Sequence, residues 1–226
     1  MFKINFSTLS YVLVLLFAIS ALQADAQNKG PKAARSTDPA LQQILPDKGS
    51  ILVYTNFFGV NHHGWNHGIG YLVGAPQGSN QVIANSFTTG SSSVTFADTS
   101  LALGLYSSPG HGCCGPHPNI YLMSDSGGVP GTVLDGPLTQ LWGIAKFSDG
   151  GDIVEFDCVT CPTLSPNTTY WIVANETEAN FEDAWDFSHS GDISSGNFVF
   201  DQTGSIFGPW SVDDGSPRGA FQVDAN

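Results

Sequence analysis

The histidines are the residues of this chain best suited to bind a metal, and most of them lie in two short glycine-rich segments. Imidazole is the commonest side-chain ligand for transition metals, so zinc or copper could bind there. Five of the six histidines belong to these segments: His62, His63, His67, His111 and His117. The spacing matches no established metal motif, and Gly64 and Gly68 disfavour a helix on which His63 and His67 would share a face. The pattern therefore favours two polar loops that bind no cofactor, with a metal-binding protein or metal-dependent enzyme as the alternative.

The cysteines form a second candidate group, because their number is even and the N-terminus predicts export. Such a count indicates disulfides. The four cysteines are Cys113, Cys114, Cys158 and Cys161. A bridge between the adjacent pair Cys113 and Cys114 would strain the disulfide geometry, so we favour a crosswise pairing of each with one of Cys158 and Cys161. The sequential pairing, with Cys158–Cys161 as a small local loop, is the alternative.

The acidic residues do not form a recognisable catalytic pair. Glycoside hydrolysis needs two carboxylates that face each other across the scissile bond. The chain has only four glutamates, and three of them lie in one segment, 176–183, which the sequence predicts to be a solvated loop. No G-x-S-x-G elbow, P-loop or dinucleotide fingerprint is present. The sequence therefore predicts no catalytic residue and favours a protein that is not an enzyme.

The tryptophans support a binding function instead. There are five in a chain of which only 12% is charged. Sugar rings stack on exposed aromatic faces, and a concave face of a sheet can present such rings. The candidate ligand-binding residues are Trp65, Trp185 and Trp210. Trp171 lies in the apolar strand-like run TYWIV and is predicted to be core.

The N-terminal segment has the three parts of a secretory signal peptide. Lys3 precedes an apolar run over residues 9–22, and Ala24-Asp25-Ala26 forms a small-residue cleavage site. Residues 1–26 are therefore predicted to be a signal peptide, and the protein is predicted to be secreted. The apolar run is shorter than the ~20 residues of a membrane span, and no second run follows it.

The net charge argues against one class of partner. The formal charge of the chain is −13, and after Lys48 only Lys146 and Arg218 are basic. An acidic surface of this kind repels phosphate backbones, so nucleic acid is not expected to bind. The acids are scattered, which favours a solvated surface over binding sites for calcium.

Short apolar runs, separated by Gly, Pro, Asn and Asp, fill the rest of the chain. Their spacing of roughly 8–12 residues is typical of a sandwich or barrel. We expect a leader over residues 27–49 with one short helix, 39–45, followed by a single antiparallel β-sandwich, jelly-roll-like, over residues 50–226. The predicted strands are 51–57, 81–89, 93–98, 101–107, 119–125, 132–135, 142–148, 152–157, 169–175, 184–188, 197–201, 208–212 and 219–224.

The order of several segments resembles bacterial secreted proteins of the choice-of-anchor type. These segments are ANSFTTGSSSVTFADTSLAL, NIYLMSDSGGVPGTVLD, LSPNTTYWIVA, AWDFS and GAFQVDAN, within residues 50–226. The resemblance implies a signal peptide and one β-sandwich domain, and the molecular function of that group is uncharacterised. The chain lacks the basic sorting tail found in many such proteins, which predicts release rather than anchoring.

Together these observations predict a secreted, non-enzymatic extracellular binding or surface-associated protein. The expected partner is an extracellular polysaccharide or a matrix component, because the aromatic residues suit glycan binding.

Overall fold

The computed structural model describes residues 33–35, 50–57, 65–74, 80–107, 118–141, 151–177, 182–188 and 193–226. Residues Ala33–Asn226 make up one compact unit. Within the described ranges the chain contains fifteen strands and no helix, and so no helix there could cross a membrane. The predicted signal peptide (1–26) and the predicted helix (39–45) lie outside these ranges.

The first sheet has nine strands, and its neighbouring strands are antiparallel. Its main path runs β1 (Ala33–Arg35), β3 (Trp65–Gly74), β12 (Glu182–Ser188), β5 (Val94–Ser107), β15 (Phe221–Ala225), β2 (Ile51–Thr55). The remaining three strands are β8 (Thr139–Gln140), β9 (Asp152–Asp157) and β10 (Thr163–Leu164). Both β9 and β10 pair with β5, and β8 pairs with β9.

The second sheet has six strands, and they too pair antiparallel. Its order is β14 (Ser211–Val212), β13 (Phe198–Asp201), β4 (Val82–Thr88), β11 (Thr169–Asn175), β6 (Asn119–Asp125), β7 (Pro130–Asp135). The predicted strands 119–125, 152–157 and 169–175 coincide with β6, β9 and β11. The predicted all-β antiparallel sandwich is confirmed.

Two strand predictions are wrong: β3 was not predicted, and residues 93–98 and 101–107 do not form two strands but the single fourteen-residue strand β5. The polar residues Thr99 and Ser100 do not break it, because both are paired on both sides. They lie opposite Phe156 and Glu155 of β9 and opposite Val223 and Gln222 of β15. The Thr99 hydroxyl donates a hydrogen bond to the Gln222 carbonyl at 2.7 Å, which satisfies the buried side chain.

Alternation along the strands builds the core between the two sheets. In β4 and β11 the side chains of Ile83, Phe87, Tyr170 and Ile172 point inward and are buried. The opposing side chains of the first sheet belong to the same cluster and include Phe96, Leu101, Leu103, Trp185, Phe187, Phe221 and Val223. Burial of this continuous apolar surface is the main favourable term in folding.

The outer face of the second sheet is also apolar, which is unusual for an antiparallel sheet with a solvated side. Its fully buried residues are Val82, Ala84, Met123, Trp171, Val173 and Val199. Ile206 and Trp210, from the connection between β13 and β14, pack on this cluster. Both faces of β4 and β11 are therefore buried along most of their length.

A tight turn after β9 is held by one carboxylate. Asp135 is 3% exposed and accepts hydrogen bonds from the backbone N–H groups of Val159, Thr160 and Cys161 at 3.0–3.2 Å, and from its neighbour Gly136 at 3.0 Å. The turn brings Cys158 and Cys161 to a Cα–Cα distance of 5.0 Å, where they form a disulfide.

The disulfide Cys158–Cys161 shows that the crosswise pairing is wrong and that the local bridge is the correct alternative for these two cysteines. The reason is the contact with Asp135. The backbone N–H groups of residues 159–161 converge on its carboxylate, and this curl of the chain brings Cys161 back to Cys158. Cys113 and Cys114 lie outside the described residues.

The substitution Gly70→Ala should destabilise the fold. A Cβ at Gly70, in β3, would lie 2.4 Å from the Trp185 carbonyl oxygen and 2.8 Å from the Asp186 Cα, and backbone atoms cannot move aside cheaply. We expect a loss of about 1–3 kcal/mol in the free energy of unfolding, measured by urea denaturation. Gly90→Ala is the matched control, because nothing lies within 4 Å of its added Cβ. Equal effects of the two substitutions would contradict the close approach of β3 and β12.

The substitution Asp135→Asn should also be costly. It keeps the shape of the side chain but replaces one acceptor oxygen by an NH2 group that faces backbone N–H donors. We expect the free energy of unfolding to fall by about 2–3 kcal/mol, because hydrogen bonds to a charged acceptor are lost in a buried site. Asp214→Asn, at an exposed residue that accepts one backbone N–H from Gly196, should change little. A wild-type unfolding curve for Asp135→Asn would show that the turn does not need its carboxylate.

Candidate functional site

A concave site of about 540 Å³ lies where β4 ends and β11 begins. Its lining residues come from both sheets, from the turn between β6 and β7, and from the loop before β13. Small and polar side chains predominate. The residues that matter for its chemistry are Tyr54, Ser86, Thr88, Asp125, Thr169, Trp171, Asn197 and Arg218.

Strand register places the hydroxyl groups side by side. Ser86 and Thr88 share the outer face of β4 because they alternate with the inward residue Phe87. Thr88 pairs with Thr169 and Ser86 pairs with Trp171 across the β4–β11 ladder. The Thr88 and Thr169 Oγ1 atoms are 3.2 Å apart. The apolar outer face of the second sheet thus ends in a polar strip at the site.

Asp125 presents a fixed carboxylate to the site. The indole Nε1–H of Trp171 donates to its Oδ1 at 2.8 Å, and the backbone N–H of Gly128 lies 3.2 Å from both oxygens. Gly127 and Gly128 have φ values of +70° and +89°, which lets the turn fold back toward Asp125. The Asp125 side chain is exposed, whereas Trp171 is 1% exposed. Trp171 therefore orients the carboxylate and offers no ring face to a ligand.

Arg218 forms the inner wall of the site and joins the two sheets. Its Nη1 donates to the Tyr54 hydroxyl at 2.7 Å, and its Nη2 donates to the Ser86 carbonyl. The guanidinium lies 5.4 Å from the Tyr54 ring centre and 5.6 Å from that of Phe221. Arg218 is 4% exposed, so this charge is directed into the protein rather than at solvent. Its aromatic contacts and hydrogen bonds offset the cost of burying a cation.

Asn197 contributes an amide group to the rim. The backbone carbonyl oxygen of Asn197 accepts a hydrogen bond from the backbone N–H of Ser86 at 3.0 Å, which attaches the loop before β13 to β4. Its side-chain Oδ1 accepts the N–H of Ser195 at 2.8 Å. The Nδ2 group is then the part of this side chain that can donate to a ligand. A carboxylate, an amide and three hydroxyls around one cavity suit a ligand with many hydroxyl groups.

The described lining contains no nucleophile paired with a base. Neither histidine nor cysteine lines the cavity among those residues. The Ser86 hydroxyl is 3.5 Å from the Asn197 carbonyl, an acceptor that cannot take up its proton. A serine nucleophile needs a base within hydrogen-bond reach to take up its proton.

The tryptophans predicted to bind a ligand do not meet at this site. Trp185 is 0% exposed and lies in the core, where its Nε1–H donates to the Ala220 carbonyl, so it has no face for a ligand. Trp210 is partly buried against the outer cluster of the second sheet. Trp65 begins β3, and its side chain is outside what the structure describes.

Of the predicted metal ligands, only His67 falls within the described ranges. His67 belongs to β3, with only its backbone described. His62, His63, His111 and His117 are outside the described ranges. Within those ranges no three His, Cys, Asp or Glu side chains are grouped to hold a metal ion.

Sequence reasoning missed Asp125, Thr88, Thr169 and Arg218. One signal was available, because Arg218 is one of only two basic residues after Lys48. The pairing of Thr88 with Thr169, 81 positions apart, depends on strand register and had no local signal.

Two aspartates of β12, Asp183 and Asp186, are buried, and each residue is 0% exposed. Among the residues that the structure describes, their carboxylate oxygens have no hydrogen-bond partner. Burial raises the pKa of both groups well above 3.8, and the charge of Glu176 raises that of Asp183 further. Segment 176–183 was predicted to be a solvated loop, and for Glu176 and Asp183 that prediction is wrong.

Comparison of the chain with protein-family profiles, with curated proteins and with solved structures found no match. The resemblance to choice-of-anchor proteins therefore stays a prediction from the sequence.

The buried aspartates should make stability fall as pH rises. A carboxyl whose pKa is raised by folding keeps its proton in the folded state after the unfolded chain has released it, so the stabilisation is complete below about pH 4 and is lost above it. We expect the double variant Asp183→Asn/Asp186→Asn to flatten this decline and to be more stable than the wild type near pH 8. The free energy of unfolding of both proteins, measured by urea denaturation at pH 4, 6 and 8, tests this expectation. Parallel pH profiles of the two proteins would contradict the buried, protonated state.

Proposed function

We propose that this protein is an extracellular, non-enzymatic carbohydrate-binding protein, and that the cavity beside Asp125 is its ligand site. The observation that carries the proposal is the lining of that cavity. Hydroxyl groups from two adjacent strands, an amide and an oriented carboxylate surround one opening of about 540 Å³. Sugars offer hydroxyl donors and acceptors in a similar density, and neutral polar side chains discriminate between their orientations.

The rigidity of the site supports the proposal. Thr88 and Thr169 belong to paired strands, and Asp125 is held by Trp171 and Gly128. Arg218 and Tyr54 join the two sheets behind them. Binding groups that are already ordered lose little conformational entropy when a ligand arrives.

Secretion is part of the same proposal. The predicted signal peptide, residues 1–26, and the resemblance to secreted choice-of-anchor proteins support an extracellular protein. An acidic chain with few basic residues suits neutral polymers better than nucleic acid. A polysaccharide of the surface or matrix is the partner we propose.

The substitution Thr88→Tyr tests the site. Thr88 is exposed at the end of β4, and a tyrosine ring there would fill the space above Thr169. The wild type should be retained by at least one immobilised polysaccharide of a panel, and the variant should bind it at least about tenfold more weakly, a loss of ~1.4 kcal/mol. Binding can be measured by affinity electrophoresis or by titration with oligosaccharides.

Thr163→Tyr is the control, because Thr163 is equally exposed but belongs to β10 of the other sheet and does not line the cavity. It should bind as the wild type does. If both tyrosine variants bind normally, the ligand occupies another surface. If the wild type binds no polysaccharide of the panel, the proposed function is wrong.

A further inference from the structure

We infer that the ligand of this site carries a positive charge, and that it is an amino sugar whose protonated amine pairs with Asp125. This inference rests on the proposed function and specifies its ligand. The charge that the described lining offers to solvent is negative, because Asp125 is exposed while Arg218 is buried. A neutral sugar can donate a hydroxyl hydrogen bond to the carboxylate, but it brings no opposite charge to pair with it.

The Asp125 carboxylate is built to receive a donor. Its two donors, the Nε1–H of Trp171 and the backbone N–H of Gly128, fix its orientation. A carboxylate oxygen accepts up to two hydrogen bonds, so acceptor capacity remains on the solvent side. An ammonium group brings three donors and a full charge, and a charge-assisted hydrogen bond is about twice as strong as a neutral one.

Arg218 does not offset this preference. Its two terminal nitrogens donate to the Tyr54 hydroxyl and to the Ser86 carbonyl, and two aromatic rings lie against the guanidinium. An anionic sugar, such as a uronic acid, would therefore meet the exposed carboxylate of Asp125, whereas the guanidinium of Arg218 is engaged by the Tyr54 hydroxyl and the Ser86 carbonyl. Like charges at close range disfavour such a ligand.

The charge of the whole chain acts in the same direction. A formal charge of −13 produces a negative potential around the cavity, which raises the local concentration of cationic ligands and lowers that of anionic ones. This long-range part is screened by salt, with a Debye length of about 10 Å at 0.1 M. A cationic ligand should thus bind more weakly as the ionic strength rises, and a neutral one should not.

The experiment compares two oligosaccharides of equal length, one of glucosamine and one of N-acetylglucosamine, at a pH where the free amine is protonated. The protein is titrated with each oligomer in its exported form, without the predicted signal peptide, at low and at high salt. We expect the glucosamine oligomer to bind about tenfold more tightly at low salt, and most of that advantage to vanish at high salt. The N-acetylated oligomer should be insensitive to salt.

Three variants attribute the preference to one group. Asp125→Asn keeps an oxygen that can accept the Trp171 Nε1–H but removes the charge, and it should bind both oligomers alike. Asp125→Glu restores the charge and should recover at least part of the preference. Asp157→Asn, in β9 of the other sheet and outside the cavity, removes one negative charge and should leave the preference within about twofold of the wild type.

Each outcome separates this inference from the proposed function. Equal binding of both oligomers by the wild type would leave a carbohydrate site but overturn the requirement for a cation. A preference for glucosamine that survives Asp125→Asn would overturn the role of Asp125. Failure of the wild type to bind either oligomer, while neutral polysaccharides of the panel are retained, would overturn the inference alone. Failure to bind any carbohydrate would overturn the proposed function and this inference with it.

Discussion

The long strand β5 is the constraint on which the first sheet depends. It pairs with β9 and β10 and with β12 and β15, so four strands take their position from its fourteen residues. This works only because β5 stays extended through the polar pair Thr99 and Ser100, each satisfied by its neighbours. A backbone donor or acceptor left unpaired at that depth would cost as much as a lost hydrogen bond. The position of β15, and with it that of Arg218 just before it, follows from this pairing.

The second sheet creates the candidate site by being buried on both faces. Its outer face is covered by Ile206 and Trp210 over the middle of β4 and β11, and the cover ends near Ser86 and Thr88. Beyond that point the same face of the same strands carries polar side chains, Ser86 and Thr88 of β4 and Thr169 of β11. The change from apolar to polar residues along one strand face places the hydroxyl groups of the cavity on paired strands, and the turn between β6 and β7 and the loop before β13 complete its lining. Arg218 closes it from the inside, since its contacts reach both Tyr54 of β2 and the backbone of β4.

The electrostatics of the chain have two distinct parts. Most acids contribute to a formal charge of −13, which makes the electrostatic potential around the molecule negative. Asp183 and Asp186 differ, because burial raises the pKa of both carboxyl groups well above the ordinary value. Their burial is a cost of the fold at neutral pH, and neither residue is among the described lining of the cavity.

The sequence by itself determined the class of the fold. Runs of β-branched and aromatic residues between Gly, Pro and Asn identified β6, β9 and β11 with their correct bounds, because strand propensity and turn chemistry are local properties. Only the tertiary structure decided what depends on neighbours. The Cys158–Cys161 bridge exists because Asp135, more than twenty positions earlier, gathers the N–H groups of the turn. Trp185 is core and not a ligand platform because it faces the second sheet. The cavity itself depends on the register that places Thr88 beside Thr169, and register across distant strands has no signature in either strand alone.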